Sequence, residues 1–241
     1  MSQTPASAVE DAVAAFRDGS PVLVHDAADR EGETDLVYPA SAVTPDAVAR
    51  LRNDAGGLVC VALDSDVADA FDLAYMDEVL DHPASEDQEL GYDERSSFSL
   101  TVNHRDTYTG ITDDDRALTI TELGDAARRV AEPAPANDTA ANAPASDGGE
   151  VDAVDEFSEQ FRAPGHVHLL RAAPNLLDER EGHTELGIAL ADAADREPAV
   201  VVCEMLDDET GGALSPADAR AYADRHDLPY VEGADLIDSL H

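Results

Sequence analysis

Apolar residues recur along this chain in two rhythms, one helical and one extended. Val9, Val13 and Phe16 fall at helical spacing and predict an amphipathic helix over Ala6–Asp18. Pro21–His25 reads as a strand. Thr44-Pro45-Asp46 opens a helix with a capping hydroxyl, a proline where the first turn needs no N–H, and then an acid. That helix ends near Gly56-Gly57, and the continuous run Leu58–Leu63 reads as a buried strand. Ser97–Val102 alternates, with Phe98, Leu100 and Val102 on one face, as a strand does. Thr112-Asp113-Asp114-Asp115 begins a helix running towards Val130, its acids complementing the positive end of the dipole. Beyond come a strand near Val167–Leu170, a helix from about His183 to Ala194 and the apolar run Val200-Val201-Val202 within Pro198–Leu206. A final helix covers Pro216–Arg225. Strands and helices alternate at irregular spacing, which is an α/β pattern in the broad sense.

One stretch breaks the rhythm. From Ala131 to about Glu159 the chain is built of Ala, Pro, Asn, Asp, Ser and Gly, with almost no large apolar residue before Val151. Such a composition has little to bury, so residues 131–159 are expected to form a flexible insertion within one domain.

Charge changes the picture more than length does. The formal net charge is −38, and all 15 basic residues are arginine. A hydrophobic content of 43% argues for a folded core rather than a disordered acidic chain. Self-repulsion on this scale is relieved in molar salt, where the Debye length falls to about 3 Å. The expected setting is therefore a salt-rich cytoplasm, that of a halophilic organism. The charge argues against a general nucleic-acid-binding role, which would need a basic surface. No run of about 18 apolar residues predicts a membrane span, and the first residues lack the pattern of a secretory signal. Cys60 and Cys203 both sit in apolar runs and read as reduced thiols. No GxGxxG, P-loop or CxxC motif occurs.

Candidate chemistry concentrates in Asp29-Arg30-Glu31-Gly32-Glu33-Thr34-Asp35. If extended, this segment sets Asp29, Glu31, Glu33 and Asp35 on one face, where like charges repel unless a cation or substrate protons lie among them. Mg²⁺ suits such oxygens, and a solvated acidic loop explains them equally well. Pro164-Gly165-His166 reads as a turn with histidine at a strand start. Glu181-Gly182-His183-Thr184-Glu185 opens an apolar helix, and free amides at a helix start suit an anion such as phosphate. Cys203-Glu204 sets a carboxylate at the end of a buried strand. Taken singly, each also reads as a plain cap, turn or surface residue.

Together and in order, these pieces resemble the 3,4-dihydroxy-2-butanone 4-phosphate synthase family of riboflavin biosynthesis. The resemblance is carried by Asp29-Arg30-Glu31-x-Glu33-x-Asp35, Gly57-Leu58-Val59-Cys60, Thr109-Gly110-Ile111, Asp115-Arg116-x-x-Thr119-Ile120, Pro164-Gly165-His166-Val167, Gly182-His183-Thr184-Glu185 and Val202-Cys203-Glu204-Met205. It implies a single-domain α/β/α sandwich around a mixed sheet, spanning residues 1–241, and a homodimer with sites near the subunit interface. It also implies a lyase that converts D-ribulose 5-phosphate to L-3,4-dihydroxybutan-2-one 4-phosphate and formate with Mg²⁺ or Mn²⁺, through a metal-stabilised enediolate. By motif position, Glu31 and His183 hold the metal. Arg30, Glu31, Asp35, Thr109, Asp115, Arg180, Glu181, Gly182, His183, Thr184 and Glu204 contact substrate. His166 and Glu204 are essential to catalysis, and Glu33 and Asp35 supply further carboxylates for proton transfer. The chain departs from the family pattern at Ala27 and Ala28, at Tyr108, at His168 and in the longer insertion. A sugar-phosphate isomerase shares the enediolate but releases no formate, and a cation-binding protein turns over nothing.

Overall fold

The apolar runs fold into one sheet because each needs cover on two sides. The computed structural model describes residues 4–26, 30, 32–85, 95–132 and 153–240. In chain order its elements are α1 (Pro5–Arg17), β1 (Val22–His25), β2 (Thr34–Pro39), α2 (Pro45–Asn53), β3 (Cys60–Leu63), α3 (Ser65–Ala70), α4 (Met76–Val79) and β4 (Phe98–His104). There follow α5 (Asp113–Ala131), α6 (Ala153–Gln160), β5 (Phe161–Arg171), α7 (His183–Ala193), β6 (Ala199–Glu204), α8 (Pro216–His226), β7 (Tyr230–Glu232) and α9 (Gly233–Leu240). Among the described residues the strands form a seven-stranded sheet in the order β4-β5-β3-β6-β2-β1-β7. Pairing is mixed: β3–β5 and β1–β7 are parallel, the other neighbours antiparallel.

Successive strand residues point to opposite faces, and both faces are covered. Leu23, Leu36, Val61, Val201 and Cys203 pack in one core with residues of α2, α5 and α8. Val24, Val37, Cys60, Val200 and Val202 pack in the other with residues of α1, α7 and α9. Burial on both sides explains why Val200-Val201-Val202 is uninterrupted rather than alternating. The architecture is the expected α/β/α sandwich with a mixed sheet. Hydroxyl caps start several helices as read: Thr44 accepts the Ala47 N–H at 3.2 Å and Thr112 that of Asp115 at 3.1 Å.

Four expectations need correction. The acidic segment before β2 is not one extended run. β1 and β2 form an antiparallel hairpin closed by Asp26 and Glu33, whose backbone N–H groups donate to Glu33 O and Asp26 Oδ1 respectively at 3.1 and 3.0 Å. Gly32 has φ +68°, a left-handed conformation that ends the extended backbone just before Glu33, and Asp29 and Glu31 lie outside the described residues. Second, Pro164-Gly165-His166 is not a turn before a strand but lies inside β5, which begins at Phe161. Gly165 permits this: a Cβ there would meet the Val102 carbonyl carbon at 1.9 Å, so β4 passes too close for any side chain. Third, Pro216–His226 is not the last helix, for β7 and α9 follow it.

The fourth correction concerns the insertion. Its stretch 133–152 lies outside the described residues, but 153–159 belongs to a helix, α6. Phe157 is buried, with ring centroids 4.8 Å from those of both Phe71 and Phe161. Arg129 pairs with Glu156 at 2.9 Å. One aromatic anchor outweighed the polar composition around it. Phe157→Ala is expected to cost about 3 kcal/mol, measured by denaturant unfolding at constant salt. An unchanged midpoint would show that α6 is not part of the core.

Candidate active site

The site is built where β2 and β6 pair. Their register sets Asp35 opposite Glu204, so two carboxylates stand side by side at the end of the sheet. The Glu204 carbonyl accepts the Gly56 N–H at 2.6 Å, and the Thr34 carbonyl accepts that of Met205 at 2.8 Å, which fixes both strand ends. His183, the first residue of α7, brings its Nδ1 to 3.5 Å from Asp35 Oδ1, with both side chains buried. These residues line a cavity of about 440 Å³ together with Arg30, Glu33, Arg180 and Thr184. Its other walls come from Leu58, Cys60, Leu170 and Val202 and from the run Arg95–Phe98.

Arg180 is held by Glu185. Its Nη1 donates to Glu185 Oε2 at 2.6 Å, while Glu185 Oε1 accepts the Ala173 N–H at 2.9 Å. Glu185 is wholly buried, and burial raises its pKa against the opposing pull of Arg180. Gly182 precedes α7 with no side-chain hydrogen bond, which leaves that helix start open to an anion. Burial, with the Asp35 charge next, pushes the Cys60 thiol above its ordinary range, so this wall of the cavity carries a neutral thiol. Cys203 lies in the opposite core and is raised to about 12, again chiefly by burial. Neither forms a disulfide.

A second group of predicted residues gathers elsewhere. Asp115 accepts N–H bonds from Gly110 at 2.8 Å, Thr109 at 3.2 Å and Tyr108 at 3.3 Å, and the Thr109 hydroxyl at 3.2 Å. These bonds, that from Gly110 first, hold its carboxyl below the ordinary range. Gly110 has φ +86°, and a Cβ on it would overlap the Asn103 side chain at 2.0 Å, so the loop lies directly on Asn103. Asn103 in turn accepts the His166 N–H at 2.8 Å and sets its Nδ2 3.2 Å from His166 Nδ1.

The predicted residues thus divide. Arg30, Glu33, Asp35, Arg180, His183, Thr184 and Glu204 share the cavity, while Thr109, Asp115 and His166 are not among its lining residues. Glu181 is exposed, and Glu31 lies outside the described residues. Sequence reasoning missed Arg95, Asn103 and the buried clamp of Glu185. Arg95 had a signal: it is a cation two residues before an alternating strand in a chain poor in cations.

An α/β/α sandwich whose sheet ends in a cavity lined by paired carboxylates, a histidine and several guanidiniums has the groups of an enzyme that moves protons on a small anionic molecule. The sequence profile of the 3,4-dihydroxy-2-butanone 4-phosphate synthase family matches residues 10–239. A 3,4-dihydroxy-2-butanone 4-phosphate synthase of Archaeoglobus fulgidus is 45% identical over 95% of this chain and 92% of its own length. That of Methanothermobacter thermautotrophicus is 41% identical over 96% and 95%. A solved 3,4-dihydroxy-2-butanone 4-phosphate synthase in complex with two magnesium ions superposes with a TM-score of 0.74 at 29% identity, over 96% of this chain and 95% of its own. The chain belongs to the 3,4-dihydroxy-2-butanone 4-phosphate synthase family.

Asp115 offers a direct test of the second group. Its folded pKa is lowered, so its hold on the loop is complete above the unfolded value near 3.9 and is lost as pH falls through the folded value. Asp115→Asn is expected to speed amide exchange at Thr109 and Gly110 by about tenfold at neutral pH. Rates equal to wild type at neutral pH would refute the anchoring role.

Proposed function

We propose that this protein cleaves D-ribulose 5-phosphate to L-3,4-dihydroxybutan-2-one 4-phosphate and formate. The observation that carries the reading is one cavity holding Glu33, Asp35, Glu204 and His183 beside Arg30 and Arg180. The phosphate sits at the start of α7, taken by Arg180 through charge-assisted hydrogen bonds and by the amides around Thr184. The reacting ketose must lose a carbon-bound proton beside its carbonyl. Glu33, Asp35 and Glu204 are the bases within reach of one bound sugar, and several carboxylates allow protons to be moved at successive carbons.

Among the described residues no three His, Cys, Asp or Glu side chains are grouped to hold a metal ion, so a cation at this site would need Glu31, which lies outside them, beside the donors of the cavity. Carboxylate oxygens with one imidazole are ligands that Mg²⁺ or Mn²⁺ accepts, and adjacent like charges call for positive charge among them. His183, with Glu31, would hold the ion. Bound there, it supplies Lewis acidity to neighbouring substrate oxygens. The further work of the chain's own residues is to orient the sugar by Arg30 and Thr184 and to keep Asp35 and His183 in contact.

The same reading includes a homodimer and a cytoplasmic setting. Tyr108 is 93% exposed and Ile111 51%, on the loop that covers Asn103 beside exposed His166. β4 is an edge strand. Apolar surface next to unused catalytic candidates supports a second copy that brings the His166 group to the partner's cavity. Among the described residues no helix is long and apolar enough to cross a membrane.

The decisive measurement is formate release from ribulose 5-phosphate in molar KCl with Mg²⁺. An isomerase reading predicts ketose conversion without formate. His183→Ala should lower turnover by at least about a hundredfold while the protein stays folded. Composite sites predict more: His166→Ala and Glu204→Gln, each inactive alone, should regain about a quarter of wild-type activity when unfolded and refolded together, since half the dimers then carry one intact site. No recovery would refute shared sites. The melting temperature should rise between about 0.05 and about 2 M KCl, and a flat profile would refute the halophilic reading.

A further inference from the structure

Acids outnumber bases 53 to 15 in this chain, yet three guanidiniums, those of Arg30, Arg95 and Arg180, line one cavity. Arg30 and Arg180 belong to the motifs read above as substrate-binding. Arg95 belongs to none of them. It stands just before β4 on the wall that also presents Ser96, Ser97 and Phe98.

Arg95 is held mainly by stacking. Its Cζ lies 4.0 Å from the centroid of the Tyr75 ring. That ring is a firm seat. Tyr75 is 5% exposed, and Arg171 also lies over its ring, at 5.2 Å. Arg171 is in turn tied to Asp69 at 2.6 Å and to the Leu73 carbonyl at 3.0 Å. The one ion pair formed by Arg95 among the described residues is long and half-exposed, Nη2 to Glu179 Oε1 at 3.4 Å, with side chains 36% and 39% exposed. Such a pair contributes little on its own. It does tie Arg95 to the residue just before Arg180, and both guanidiniums line the cavity. A guanidinium seated on a ring and engaged through one nitrogen keeps most of its five donors for another acceptor.

We propose that Arg95 is a further substrate-binding residue, which takes the phosphate of the sugar phosphate from the β4 side while Arg180 takes it from the α7 side. The proposal rests on the reading of the cavity as a site for a phosphorylated ketose. Two planar forks on one dianion select phosphorylated over free sugars, which a single arginine does less well. The Tyr75 seat restricts the Arg95 side chain before substrate arrives, which reduces the entropy lost on binding.

The test uses the whole protein in about 2 M KCl, with wild type, Arg95→Gln and Arg95→Lys compared. Arg95→Gln should raise KM for ribulose 5-phosphate by about tenfold and leave kcat within about threefold. Competitive inhibition by inorganic phosphate should weaken by the same factor, and Arg95→Lys should recover part of both. Thermal melting checks that the variants are folded; if Arg95→Gln is not, Arg95→Lys decides, with KM expected between wild type and tenfold. Unchanged KM and unchanged phosphate inhibition would overturn the proposal, as would a fall in kcat at constant KM. Calorimetric titration with inorganic phosphate separates this from the function itself. A wild type that binds phosphate but releases no formate refutes the lyase reading, and the Arg95 proposal then stands or falls on the loss of phosphate affinity in Arg95→Gln.

Discussion

Asp35 and Glu204 face each other across an antiparallel strand pair, and the rest of the site is arranged around that like-charge contact. The contact cannot relax by slippage. A shift of one residue between β2 and β6 would send Leu36 and Cys203 to the face now holding Val37 and Val202, and both faces are packed. The hydrophobic core therefore enforces an electrostatic arrangement that the carboxylates alone would avoid. Its compensation comes from the guanidiniums of the cavity and from whatever cation or proton the chemistry brings, with His183 Nδ1 standing 3.5 Å from Asp35.

Two scales of electrostatics are thereby separated. The net charge of −38 acts over the whole surface and is answered by ionic strength. Inside the cavity two of the three arginines have a fixture of their own: Arg180 a buried carboxylate at 2.6 Å, Arg95 a buried ring at 4.0 Å. Salt that screens exposed charges acts much less on a pair like Arg180–Glu185. Local charge order can persist in the same solvent that the acidic surface requires.

The loop group follows a different logic. Asp115 gathers three backbone N–H groups of the loop, Gly110 lets that loop lie on Asn103, and Asn103 orients His166. Each link is short and specific, yet the group stands apart from the cavity lining. Thr112 caps α5 through its hydroxyl, Asp113 pairs with Arg52 at 2.9 Å and with Arg116, and Asp115 anchors the loop. Acids that look alike as dipole partners therefore have distinct duties.

Much of the framework was legible in linear order because its signals are local. Thr44-Pro45 and Thr112 cap the helices they precede, and Val200–Val202 reads as a strand buried on two sides because nothing polar interrupts it. The ordered motifs carried the family. Local signals failed where a distant contact decided the outcome. Gly32 turns left-handed just before Glu33, Phe157 anchors a helix in a stretch that reads as polar, and Gly165 lets a proline-glycine pair run inside a strand. Arg95 and Tyr75, like Asp35 and Glu204, become neighbours only through the order β4-β5-β3-β6-β2 and the packing of its faces. Residue patterns state what each segment prefers over a few turns or pleats. Which segments meet is set by burying both faces of one sheet at once, a constraint shared by the whole chain and written in no single stretch of it.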